Sequence, residues 1–69
     1  MTSMQRRGPS QDIQARELKA GDLILSRNWT ILATKELDGG LRIQVSATST
    51  EGMIRQTSFS VDEIVEVVR

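Results

Sequence analysis

The sequence predicts an all-β protein, a small closed barrel of five to six short antiparallel strands, on three observations. Apolar Leu41, Ile43, Val45 and Ala47 alternate with polar Arg42, Gln44, Ser46 and Thr48, the period-two signature of a strand with one buried face. Immediately before them stands Asp38-Gly39-Gly40, residues that tolerate the positive φ values a tight hairpin demands. Elsewhere, short runs of β-branched and aliphatic residues recur between turn signals about every 8 to 12 residues. Residues 12–69 are too few for a two-sheet sandwich of ordinary size, and open edges invite aggregation, so closure into a barrel answers both constraints.

Residues 1–11 hold Thr, Ser, Gln, Gly, Pro, Arg6 and Arg7 with no apolar period, and read as a disordered arm ahead of a domain at 12–69. Ile13 and Ala15 then alternate with Gln14 and Arg16 in a first strand, and Lys19-Ala20-Gly21-Asp22 turns the chain. Leu23 to Arg27 reads as the second strand, Arg27-Asn28 as a corner, and Trp29 to Leu37 as a third strand that is apolar on both faces. After the Leu41 to Thr48 strand, Ser49-Thr50-Glu51-Gly52 makes another turn. Met53 to Ser60 follows as a fifth strand, with Phe59 and Met53 inward and Ile54 out of phase, which suggests a bulge there. The last segment pulls two ways. Ser60-Val61-Asp62-Glu63 matches a helix-capping box, whereas Ile64, Val65, Val67 and Val68 are all β-branched, so one helical turn at Val61 to Glu63 followed by a closing strand satisfies both.

Composition narrows function more by exclusion than by indication. Nine basic and nine acidic residues give a formal net charge of zero, against a dedicated binder of phosphate backbones, and Trp29 and Phe59 are too few for a stacking platform on single-stranded nucleic acid. Without Cys, His or Tyr, catalysis would rest on Asp, Glu, Lys and Ser, and nothing clusters them, so the expectation is a protein that is not an enzyme and carries no cofactor and no metal. The apolar runs Leu23-Ile24-Leu25 and Val65 to Val68 are too short to cross a bilayer, and the missing Cys suits a reducing cytoplasm.

The segment Gln14-Ala15-Arg16-Glu17-Leu18-Lys19-Ala20-Gly21-Asp22-Leu23-Ile24 resembles the opening of many SH3-like barrels, where Leu, a basic residue, a small residue and Gly-Asp precede a strand. Trp29 and the ending Phe59-Ser60-Val61-Asp62-Glu63-Ile64-Val65-Glu66-Val67 are similar to small proteins of actinobacteria and their phages. This resemblance implies a five- to six-stranded SH3-like barrel and a phage or mobile-element accessory role. The same opening resembles the first strands of Hint domains, but their chemistry needs a Cys or Ser nucleophile at the very start and a catalytic His, and this chain has no Cys and no His.

Individual residues divide between structural and functional readings. Asp22 follows a turn glycine and is expected to hydrogen-bond turn amides; Asp62, Glu63 and Glu66 match no metal-loop spacing and read as a solvated face. Trp29 is either the largest core filler or an interface anchor, since Trp is enriched at binding hot spots. The polar faces Arg42, Gln44, Ser46, Thr48 and Arg55, Gln56, Ser58, Ser60 could hydrogen-bond an incoming chain, although an ordinary solvated sheet face is the preferred reading. The first expectation is therefore a protein-interaction module that binds a protein partner or itself through an apolar patch at Ile64 and Val68 bordered by Trp29. The alternative is a nucleic-acid-binding barrel that uses Arg6, Arg7, Arg42 and Arg55.

Overall fold

A single antiparallel sheet carries the described part of the chain, residues 9–69 of the computed structural model. Its six strands are β1 (Ser10–Gln14), β2 (Leu23–Ile24), β3 (Trp29–Leu37), β4 (Arg42–Thr48), β5 (Ile54–Ser60) and β6 (Ile64–Val68). The only helical pieces among the described residues are 3₁₀ turns at Ala15–Glu17 and Asp38–Gly40. Most of the anticipated arm, with Arg6 and Arg7, lies outside the described residues, while Ser10 and Gln11 already belong to β1, so the ladder begins ahead of the Asp12 boundary.

The strand order is β1-β6-β2-β3-β4-β5. β3, β4 and β5 form a meander through the two predicted turns, whereas β6 comes back from the end of the chain to lie between β1 and β2. Alternation sends Ile13, Ile24, Ile31, Ile43, Val45, Ala47, Phe59, Val65 and Val67 to one face, where they pack with Ala15 and Leu18 as one core cluster. Strands from both ends of the order share that cluster, so the sheet curls around its own apolar face. No ladder joins β1 to β5 among the described residues, and these two strands are its edges.

The positive φ values fall where the sequence placed its turns. Asp38, Gly39 and Gly40 have φ of 53°, 66° and 96°, and Asn28, at the corner after Arg27, has 59°. The second strand is shorter than expected, because Ile24 C=O accepts both Arg27 N–H (3.3 Å) and Asn28 N–H (2.7 Å) and turns the chain at Leu25. Ala15 leaves strand geometry for the 3₁₀ turn yet stays buried. The anticipated turn at Val61 to Glu63 is closed by Glu63 N–H to Ser60 C=O at 3.0 Å, and Ile64–Val68 is the closing strand.

Three expectations about the core are corrected. Leu41 is 70% exposed, because its helical backbone (φ −85°, ψ −20°) at the exit of the 3₁₀ turn takes it out of the strand alternation. Met53 is 51% exposed rather than buried: it closes the Ser49–Gly52 turn at the end of the sheet, where no described strand covers it, with its C=O accepting Ser49 N–H at 2.9 Å. The bulge falls not at Ile54 but in β3, where Ile31 pairs with Ala47 and Ala33 with Ser46, leaving Leu32 as the extra residue. The β4–β5 register is unbroken from Arg42 and Ser60 to Thr48 and Ile54, so Ile54 simply occupies the outer face.

Candidate functional site

Trp29 is where core and surface meet. It starts β3 opposite Ile24, which puts its ring on the core side of the sheet at an open end, and it is half-buried against the core cluster. The ring is thus neither fully buried in the core nor fully exposed. The left-handed Asn28 sets Arg27 back over the indole, with its guanidinium carbon 5.0 Å from the ring centroid, a cation–π stack.

Across from this stack, the β4–β5 turn builds the other wall. Ser49 Oγ accepts Glu51 N–H (3.3 Å) and Met53 N–H (3.2 Å), while Gly52, at φ 81°, donates its N–H to Ser49 C=O at 2.9 Å. These bonds fix the turn and hold Glu51 at its rim. The first residues of β5 complete a cleft of about 720 Å³, in which Arg55 and Gln56 face Arg27 and Trp29. Ser49, Thr50 and Glu51 line its turn side.

The cleft also gathers charge. The ion pairs among the described residues are Arg16 with Asp62 and Arg69 with Asp22. Neither Arg27 nor Arg55 takes part in one; Arg55 only reaches the Met53 sulfur, at 3.6 Å. Two guanidiniums without carboxylate partners thus flank an indole, with Glu51 as the single acid of the lining.

The anticipated site residues are not all brought together. Ile64 and Val68 lie on the outer face of β6, opposite Gln14 and Ser10, whereas Trp29 lies on the core side, so Trp29 does not border their patch. Ile64 is 61% exposed and Val68 half-buried beside Leu23, with the facing acids Glu66 and Asp12 between them. Arg42 and Arg55 are also separated. Arg42 is on the outer face, donating to Ser58 Oγ at 2.8 Å, while Arg55 sits opposite Ala47 on the core side, five residues further along β4 and so about 17 Å away. Arg27 was missed, since a lone Arg before Asn reads as turn filler, and only the left-handed Asn28 folds it back onto Trp29.

Asp22 keeps the turn role expected of it and gains a second. Its carboxylate, 2% exposed, accepts Lys19 N–H at 3.2 Å and pairs with Arg69 Nε at 3.2 Å. Arg69 also donates through Nη2 to Glu17 C=O at 2.9 Å, which ties the end of β6 to the loop ahead of β2.

No model of a known protein family matches this chain, and comparisons with characterised proteins and with solved structures return no match either.

Proposed function

We propose that the protein is a non-enzymatic protein-interaction module of SH3-like shape, and that its cleft beside Trp29 takes an acidic, extended segment of another protein. The observation that carries this reading is the pair of cations, Arg27 and Arg55, that flank the indole without carboxylate partners of their own. A carboxylate entering there meets planar guanidinium donors suited to bidentate hydrogen bonding, beside a half-buried ring that supplies contact area at little cost in side-chain entropy. Gln56 and Ser49 offer amide and hydroxyl groups to the backbone of the same segment. The antiparallel order and the single curled core support the SH3-like assignment. The inventory also argues against catalysis: the chain has no His, Cys or Tyr, and Glu51 is the one carboxylate lining the cleft.

Trp29 is the only tryptophan in the chain, so its fluorescence reports on the cleft alone. Titration with a ten-residue Glu- and Asp-rich peptide is expected to shift that emission saturably, with weakening as salt rises. The Arg27→Glu and Arg55→Glu variants are expected to lose the response while keeping the fold. A response to a single-stranded oligonucleotide and none to the peptide would replace this reading with the nucleic-acid one.

A further inference from the structure

We infer that β5 pairs, edge to edge, with β5 of a second copy of this chain, around a two-fold axis at Thr57. The inference does not rest on what the Trp29 cleft binds, although Ile54, Arg55 and Gln56 belong to both surfaces. Its starting point is the contrast between the two edges of the sheet. β1 is a five-residue strand preceded by Pro9 and carrying the exposed Asp12, devices that blunt an edge against further pairing. β5 lacks the proline and the short length, although like β1 it carries one exposed charge. Its seven residues, Ile54 to Ser60, include no Pro, Gly or Lys and one charge, Arg55. They pair with β4 in unbroken register on one side; on the other no strand among the described residues pairs with them, and Ser60 C=O, at the strand's end, accepts Glu63 N–H at 3.0 Å.

A second copy fits this edge in charge as well as in hydrogen bonding. The register that pairs all seven residues places Thr57 opposite itself, Gln56 opposite Ser58, Ile54 opposite Ser60 and Arg55 opposite Phe59. Like charges are not opposed. Instead, each Arg55 lies next to an aromatic ring across the axis, on the core side of the sheet, where Arg55 and Phe59 both sit. A formal net charge of zero leaves no overall repulsion against two copies meeting. Pairing extends the sheet from six strands to twelve and removes its unprotected edge.

The absence of cysteine makes the test direct. In a Thr57→Cys variant the two thiols lie on the axis, with Cα atoms about 4.5–5.5 Å apart, within disulfide reach. Mild oxidation is expected to link it at least about tenfold faster than a Lys35→Cys control on exposed β3, because held thiols meet at a high effective concentration. Mixed Gln56→Cys and Ser58→Cys variants, both at exposed positions, are expected to cross-link with each other more than with themselves, which covers the case in which the Thr57 variant folds poorly. Sedimentation of the unaltered chain is expected to give a dimer. A monomer up to about 1 mM, the weak end of specific association, overturns the inference. So does a dimer in which neither the Thr57 variant nor the mixed pair cross-links, because the copies then meet elsewhere.

Discussion

Replacing Arg69 by Ala removes both groups that bind the end of β6 to the Gly21 turn, and its cost can be worked from the structure. The Asp22 carboxylate is 2% exposed and keeps Lys19 N–H as a hydrogen-bond donor once the guanidinium is gone, but no compensating charge among the described residues; Glu17 C=O loses the Arg69 donor as well. Breaking a fully buried ion pair by removing one partner costs about 3–5 kcal/mol. The Arg69 side chain is 29% exposed, so solvent screens part of the pair, and about 2 kcal/mol is the expected loss. A domain of this size holds about 3–10 kcal/mol in all. At about 4–8 °C per kcal/mol, the midpoint of thermal unfolding should fall by about 8–16 °C. Thermal melts followed by circular dichroism would measure it, and a double-mutant cycle with Asp22→Asn would isolate the pair, since Arg69→Ala should cost clearly less once no carboxylate is stranded. A loss below about 0.5 kcal/mol in the otherwise unaltered protein, a typical surface value, would refute the argument.

Two further outcomes test the packing. Ile24 is fully buried where β2 meets both β3 and β6, so Ile24→Ala should cost about 2–5 kcal/mol in chemical denaturation, against much less for Ile64→Ala on the outer face. Asp12 and Glu66 face each other across β1 and β6, so Glu66→Lys should raise stability by about 0.2–1 kcal/mol at low salt, a gain that shrinks as salt is added.

The sequence made turns and strands legible wherever local chemistry decides them. Asp38-Gly39-Gly40, Asn28 and Gly52 all take the positive φ their residue types permit, and the alternation through Ile43, Val45 and Ala47 gives the buried face of β4. Ambiguity at Val61 to Glu63 was resolvable for the same reason: a capping box suits a single turn and β-branched residues suit the strand that follows. Errors arose where the outcome depends on neighbours. Leu41 and Met53 are apolar and in phase, yet each stands beside a turn at the end of the sheet, and nothing in their own neighbourhood says that no strand will cover them. Leu32 gives no local sign of the bulge, which lies between Ile31 and Ala33 in the pairing of β3 with β4. The cleft was half legible. Trp29 was singled out, but its grouping with Arg27 and Arg55 joins three segments whose adjacency depends on the strand order.

The placement of β6 between β1 and β2 also has a consequence in time. The meander of β3, β4 and β5 needs only short hairpin closures, so it can assemble early and carry Ile31, Val45 and Phe59 with it. β1 and β2 have no ladder with each other, and each is held by β6. Ile13, Ala15 and Leu18, with Val65 and Val67, therefore wait on contacts between residues more than forty positions apart, such as Ile13 with Val65 and Asp22 with Arg69. Hydrogen exchange during refolding should accordingly show amides of β4 protected before those of β1, and native-state opening should release β1 and β6 together, as one unit whose lifetime is set by the last strand to arrive.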